Sequence, residues 1–473
     1  MVNLVRDEGR RVAIIGGGMT GLAAAHKLEK AKEKGLAIAY DLYEKTNRLG
    51  GKIETKRENG FVIERGPDSY LARKESMTRL AKEVGLEDDL LFNDTGQAYV
   101  LKGDQLYPIP GGAIMGIPTE IKPFVNTRLL SPIGKLRAAG DFFYPRITAK
   151  DEDISLGHFF RRRLGNEVVD HLIEPLLSGI YAGNLDKLSL KATFPQFQQV
   201  EQKHGSLIRG MKFSKPKKTS PKVETPKKAK GMFLTFRNGL ESFVEAIESK
   251  LDRNSIHKNS DIEKIYKQDG QFHIVFENGD IKHYDEVIVT TPPKVSAKLL
   301  ADYPYFDYLD QMEATTVATI AMAFKEEDIT IPFEGTGFVV SKKSNHAITA
   351  CTWTHKKWEH STPEGYALLR TYVGRAGDSA IVSRSDEEIL SAVLYDLKQI
   401  MKIEKQPEFF IVSRWKEAMP QYNVGHTFKM SKIKEDMARN VSGLYLAGGG
   451  YEGIGLPDCI DQGEAVVDQI LKR

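Results

Sequence analysis

The sequence predicts an α/β fold with α+β elements, and three observations predict it. Arg11 to Ile15 reads as a strand that runs into Gly16-Gly17-Gly18-Met19-Thr20-Gly21. An apolar-periodic helix follows to about Lys34, and then a second strand, Ile38 to Tyr43, closed by Glu44. Near the other end, Gly443 to Ala447 is again a strand ending in glycines, with a helix begun by Pro457. Strand, glycine turn, helix and strand in that order is the unit of a Rossmann-like, dinucleotide-binding domain.

Each glycine of the first turn has a physical reason. Gly16 permits a sharp exit from the strand, Gly18 lets backbone approach a pyrophosphate, and Gly21 lets the helix pack closely on the sheet. The helix start offers unpaired N–H groups and a positive dipole end to phosphate oxygens. Glu44 is placed to accept from ribose hydroxyls and would repel a 2′-phosphate. An adenine dinucleotide lacking that phosphate is expected, and this stretch alone does not separate NAD from FAD.

The chain has 473 residues, 41% of them hydrophobic, enough for two or three domains with proper cores. Lysines and arginines number 67 against 64 acids, a formal charge of +3, which excludes a nucleic-acid binder built on net charge. Cys351 and Cys459 show no metal or disulfide spacing, so no metal site is expected and a reducing, cytoplasmic setting fits. The short charged start, Met1 to Arg11, has no room for a secretory apolar region. No apolar run reaches the roughly 18 residues of a spanning helix, so peripheral membrane contact is the most that is expected.

After Glu44 comes a basic turn, Lys45 to Ile53, in which Arg48 and Lys52 flank the Gly50-Gly51 amides and suit a second set of phosphate oxygens. A strand pair around Asn59-Gly60 leads to the fixed loop Glu64-Arg65-Gly66-Pro67-Asp68-Ser69 and a helix from about Leu71 to Val84. Here the residues carry a resemblance. Gly16 to Gly21, Glu44, Arg48-Leu49-Gly50-Gly51-Lys52 and Glu64-Arg65-Gly66-Pro67 resemble the FAD-binding signature of the monoamine oxidase and protoporphyrinogen oxidase superfamily. Lys52 departs from it, since many members carry arginine there; the charge is kept and the fork geometry lost.

Farther along, Tyr99 to Tyr107 reads as a hairpin around Gly103-Asp104, and Ser155 caps a helix through Leu164 whose last turn, Arg161-Arg162-Arg163, suits the helix dipole. Asn166 to Ser178 is a second helix, punctuated by Glu174-Pro175. Lys203 to Lys230 holds ten lysines and arginines against one acid, Glu224, with three prolines, and reads as a mobile basic loop. Strands at Ile262 to Tyr266, Phe272 to Phe276 and Val287 to Thr291 return to the nucleotide-binding domain, as in the superfamily, so that domain is discontinuous. Strands and one helix, Glu387 to Met401, fill Pro304 to Ser413; the cluster Trp353 to Trp358 there reads as packing. The expected division is 1–75, 230–300 and 415–473 for the FAD-binding domain, 76–165 for a helical domain, and 166–229 with 301–414 for a mixed-sheet substrate domain.

Three glycine-rich elements aimed at one cofactor favour FAD over NAD. The strings Leu176 to Gly183, Ala350 to Thr354, Met419 to Tyr422 and Pro457 to Gly463 are similar to the bacterial, Gram-positive type branch of oxygen-dependent protoporphyrinogen and coproporphyrinogen III oxidases. The resemblance implies hydride transfer from a porphyrinogen bridge carbon to flavin N5 with loss of a pyrrole N–H. Three repeats pass six electrons to three oxygen molecules and give hydrogen peroxide. No side chain is required as a catalytic residue, because the flavin carries the redox chemistry. It also implies a cofactor site from Gly16, Gly17, Gly18, Met19, Thr20 and Gly21, with Glu44, Lys45 and Lys52. Gly66, Pro67, Asp68 and Ser69 belong to it, as do Ile262 near the adenine, Trp415 by the flavin, and Ile454, Gly455 and Leu456 at its pyrimidine edge. For the substrate propionates the candidates are Lys74 and Arg73, with Tyr372 and Ile180 at pocket positions of relatives. Lys74 as a solvated helix face and Tyr372 as a strand aromatic are the plain alternatives.

Protoporphyrinogen IX as substrate, an amine oxidase or a carotenoid desaturase remain open, as does a flavin-free binding protein on the same fold. An amine oxidase calls for an aromatic cage that the sequence does not display. A reactive, poorly soluble product suggests hand-off to a ferrochelatase.

Overall fold

The computed structural model describes residues 9–94, 96–149, 152–213, 231–331 and 333–473. Most of the charged start and residues 214–230 of the basic segment lie outside the described residues. The described part of that segment is helical, not loop: Pro195–His204 ends at Gly205, φ +69°, and Leu207–Phe213 follows. Leu207, Ile208 and Met211 are buried there, which is why this half folds despite its charge.

Five parallel strands form the first sheet, in the order Ile256–His257, Ile38–Tyr43, Arg10–Ile15, Glu286–Val289, Leu444–Leu446. Buried strands with both faces covered read as continuous apolar runs, and alternation along Arg10–Ile15 divides two cores. Val12 and Ile14 face the helices Met19–Glu33 and Leu456–Leu471, through Leu22, Ala24, Ile460 and Val467. Ala13 and Ile15 face the opposite core, with Ile265, Phe272, Ile274 and Tyr284 of a three-stranded antiparallel meander. Chain order reverses at Arg10–Ile15, so the crevice at the C-terminal end of this strand is the topological switch point where α/β folds bind ligands.

A second, mixed sheet has seven strands, ordered Phe409–Pro420, Ala314–Lys325, Tyr366–Val373, Ile348–Trp353, Gly337–Val340, Ala98–Lys102, Gln105–Pro108. Gly337–Val340 pairs parallel with Ala98–Lys102; the other pairings are antiparallel. The expected hairpin at 99–107 therefore extends this sheet. Helix Asp386–Met401 covers one face, started by a Ser385/Glu388 capping box.

Three elements differ from expectation. Tyr70–Leu71 is a short strand paired with Phe233–Leu234, so the next helix begins only at Glu75. The strand at Phe409 runs on to Pro420, which puts Trp415 inside it, opposite Val317. Arg163 is not a solvated dipole partner: it is fully buried, with Nε 2.6 Å from Asp141 Oδ1 and Nη1 3.6 Å from Glu201 Oε1. Asn166 to Tyr181 is helical with a π segment, Val169–Ile173, just before Pro175, whose missing N–H releases a carbonyl of the preceding turn.

Candidate active site

The glycines of the first turn do three separable things. Gly16 has φ +109°, and its N–H donates to the Tyr43 carbonyl at 2.8 Å. At Gly21 a Cβ would lie 2.0 Å from the Gly16 carbonyl oxygen, so helix and strand meet there. At Gly18 a Cβ would meet nothing within 4 Å, leaving open space in front of helix Met19–Glu33. Such a helix start is suited to anionic oxygens. Met19 and Thr20 are buried, and the Thr20 carbonyl oxygen is 2.4 Å from where a Gly463 Cβ would be, so this turn and the C-terminal helix converge.

Glu44 closes the turn as well as the strand. Its Oε2 accepts from Gly17 N at 2.8 Å, and its Oε1 from Thr46 N and Oγ1, both at 2.9 Å. Each oxygen retains lone-pair capacity for a ribose hydroxyl. Lys45 is exposed and pairs with Asp261 at 2.6 Å. The Gly50-Gly51 turn lies over the first: Gly50 N donates to Gly17 O at 2.8 Å, and a Gly51 Cβ would be 3.2 Å from Gly18 Cα. Arg48 does not face this space freely. Its guanidinium closes the turn by donating to the carbonyls of Ile53 at 2.8 Å and Gly51 at 2.7 Å. The Lys52 ammonium donates to the Ala418 carbonyl, and partial desolvation there holds it below the ordinary lysine range although the residue as a whole is exposed.

The loop from Glu64 to Ser69 is pinned by residues from the second sheet. Trp415 Nε1 donates to the Arg65 carbonyl at 2.9 Å, and a Gly66 Cβ would sit 1.9 Å from Lys52 O and 3.3 Å from the Trp415 ring. Arg370 donates to the Gly66 carbonyl and lies 5.1 Å from the centre of the Tyr372 ring. Pro67 links this peptide to Asp68, which accepts from Ser69 Oγ at 2.6 Å and Lys357 Nζ at 2.8 Å. Burial pushes the Asp68 carboxyl up, but Lys357 and Arg370 together outweigh it and hold the group well below the usual carboxylate range. Glu64 has the opposite fate. It accepts from Leu240 N at 2.6 Å and Thr55 Oγ1 at 2.9 Å, yet burial prevails and pushes its carboxyl up to about 7.

Ile454, Gly455 and Leu456 form the half-buried start of helix Leu456–Leu471, with Gly455 extended as its cap. Lys74 comes to this point, its ammonium paired with Asp458. Arg73 is exposed and has no hydrogen bond or ion pair among the described residues. Ile180 is 40% exposed near the end of helix Glu174–Tyr181. Ile262 is half-buried at the start of the meander, packed on the core that holds Tyr43. Sequence reasoning missed Arg370, Lys357 and Asp458; the run Trp353 to Trp358 was the available signal for Lys357.

Residues 19–471 match the family described as Flavin containing amine oxidoreductase. The chain belongs to this family. As a flavin-containing amine oxidoreductase family member it is an oxidoreductase with FAD as cofactor, and the open space at Gly18 beneath the Gly50-Gly51 turn fits a dinucleotide. It is 50% identical over 466 residues to the coproporphyrinogen III oxidase of Bacillus subtilis (strain 168), covering 98% of each chain. It is 46% identical over 464 residues to the coproporphyrinogen III oxidase of Staphylococcus aureus (strain NCTC 8325 / PS 47), covering 98% of this chain and 99% of the relative. The crystal structure of "Putative protoporphyrinogen oxidase" from Exiguobacterium sp. 255-15 superposes with a TM-score of 0.88 at 40% identity, covering 98% of this chain and 99% of that one.

Proposed function

We propose that this enzyme oxidises coproporphyrinogen III to coproporphyrin III, passing six electrons to three molecules of oxygen with hydrogen peroxide as the other product. The observation that carries the reading is the 50% identity, along 98% of both chains, to a coproporphyrinogen III oxidase. FAD supplies the hydride-accepting chemistry when bound; the chain supplies binding, orientation and exclusion of water.

In this reading the Gly16–Gly21 turn and the helix start hold the pyrophosphate and Glu44 holds the ribose, with Lys45 and Ile262 toward the adenine. Lys52, Gly66, Pro67, Asp68, Ser69 and Trp415 shape the ring site, and Ile454, Gly455 and Leu456 meet its far edge. The open Gly18 position and the convergence of Lys52 and Trp415 on Gly66 support this. Lys74, Arg73, Tyr372 and Ile180 take the substrate; Lys74 is held ready by Asp458 and exchanges that carboxylate for a propionate. The domains run 1–75, 230–300 and 415–473 for FAD, 76–165 for the helical part and 166–229 with 301–414 for substrate, except that strands Ala98–Lys102 and Gln105–Pro108 join the substrate sheet and its edge strand Phe409–Pro420 crosses the boundary at 415.

In this reading the enzyme works in the cytoplasm, has peripheral membrane contact at most, and hands its product to a ferrochelatase. No helix among the described residues is long and apolar enough to cross a membrane. Turnover of coproporphyrinogen III and protoporphyrinogen IX measured side by side tests the substrate. The larger kcat/KM is expected for coproporphyrinogen III, and Lys74→Met should lower it about tenfold, the worth of one charge-assisted hydrogen bond. A preference for protoporphyrinogen IX contradicts the reading.

A further inference from the structure

Beside the Glu64–Ser69 segment lies a small, partly open cavity of about 20 Å³, lined in part by Glu64, Asp68, Thr354, Trp358, His360 and Arg370. An ordered water needs about 10–15 Å³ and two to four polar partners. Three of the lining residues carry a buried polar atom with no hydrogen-bond partner: Thr354 Oγ1, Trp358 Nε1 and Arg370 Nε. All three are nine-tenths buried or more, at 9%, 4% and 4% exposure. Two of these atoms can only donate, the hydroxyl can accept, and two carboxylates stand in the same wall. A water there would find two donors, Trp358 and Arg370, and acceptors in the Thr354 hydroxyl and a carboxylate.

We propose that this cavity binds an ordered water which, with the Glu64 carboxyl, forms a proton store behind the flavin loop. The charges around it explain why a proton belongs there. Arg370 brings a positive charge from the second sheet and Lys357 another from the short helix Thr354–Lys357; Glu64, ending strand Phe61–Glu64, and Asp68 in the loop after it bring two negative ones. Protonating Glu64 leaves the cluster one charge positive, directly behind the loop whose Gly66 carbonyl Arg370 holds. With FAD bound beside this loop, that positive charge would offset negative charge on the reduced cofactor.

The groups that face Glu64 are the Leu240 N–H, the Thr55 hydroxyl, Arg370, Asp68 and His360, with Glu241 one step away on Thr55 N at 2.9 Å. Its carboxyl, held at about 7 by burial, is poised to gain or lose a proton near neutrality. The source of the proton rests on the porphyrinogen reading. Each oxidation releases a pyrrole proton together with a hydride, and oxygen consumes both, with their electron pair, on becoming hydrogen peroxide. Glu64 binds the proton between the two events, passing from carboxylate to carboxylic acid and back.

The test is an infrared difference spectrum of the FAD-loaded protein, photoreduced without oxygen, in H₂O and in D₂O. A carboxylic C=O band should appear on reduction, shift in D₂O, and be lost in Glu64→Gln. Trp358→Phe, which removes one partner of the water, should keep the band and move its frequency. This variant and the wild-type isotope shift carry the test if Glu64→Gln fails to load FAD. No carboxylic band in the wild type, a band that persists in Glu64→Gln, or an unmoved frequency in Trp358→Phe would overturn the proposal. Photoreduction bleaches the flavin in the same sample, so these outcomes leave the flavin and substrate readings standing.

Discussion

Glu64 ends strand Phe61–Glu64 and Asp68 lies four residues on in the following loop, and their surroundings treat them oppositely. Lys357 and Arg370 stabilise the Asp68 charge, whereas at Glu64 burial outweighs two neutral donors and Arg370 and holds the carboxyl up to about 7. An unfolded glutamate titrates near 4.3. Between those values the folded protein binds the extra proton, so the Glu64 contribution to stability is present in acid and lost as pH rises through the window. Asp68 acts the other way, its contribution vanishing only in stronger acid, below the usual aspartate range. Urea unfolding should therefore show the wild type losing about 3 kcal/mol relative to Glu64→Gln as pH rises across that interval. Parallel stability curves would contradict it. None of this electrostatics was legible in the sequence, because the partners are remote: Lys357 lies 289 positions from Asp68, Arg370 lies 304 from Gly66, and Asp458 lies 384 from Lys74. Glu44 was legible because strand, turn and acid are contiguous, although its bond to Gly17 N was not.

At the scale of elements, what local chemistry dictates was readable. The glycine turn, the Ser155 cap, the hairpin at Gly103-Asp104 and the Pro457 helix start all follow from residues within a few positions of one another. What long-range pairing dictates was not readable. Tyr70–Leu71 is strand because Phe233–Leu234 pairs with it, and Phe409–Pro420 keeps its length because Ala314–Lys325 runs beside it. The glycines themselves make a sharp test. Gly18→Ala should leave apoprotein stability within about 1 kcal/mol, since its Cβ meets nothing within 4 Å, while weakening FAD at least about tenfold. Gly21→Ala should destabilise the apoprotein by about 1–3 kcal/mol, since its Cβ would be 2.0 Å from a carbonyl oxygen. Denaturation of each apoprotein and fluorescence titration with FAD separate the two effects. A Gly18→Ala protein that binds FAD normally would contradict the pyrophosphate placement.

The whole molecule is a switch-point sheet assembled from distant parts of the chain, with a second sheet gripping the loop beside its crevice. Its helical part adds a surface of another kind. Ile121 and Val125 on helix Ile121–Asn126, and Ile133 and Leu136 on helix Pro132–Ala139, are all more than half exposed, and Phe143 is 89% exposed. Lys135 Nζ joins these helices by donating to the Val125 carbonyl at 2.7 Å, and Lys122 and Arg128 are exposed nearby in the chain. An apolar face with basic flanks suits an anionic lipid surface. The FAD-loaded protein should float with phosphatidylglycerol vesicles and be released by Leu136→Asp; protein that stays behind in both forms would argue against peripheral contact. The central claim, flavin-dependent oxidation of a porphyrinogen, is tested most directly without oxygen. Coproporphyrinogen III is added to the yellow protein, the flavin band is followed, and oxygen is then admitted while porphyrin fluorescence is recorded. Bleaching, followed by recolouring and porphyrin emission, is the predicted result, and a flavin band that stays oxidised would contradict it.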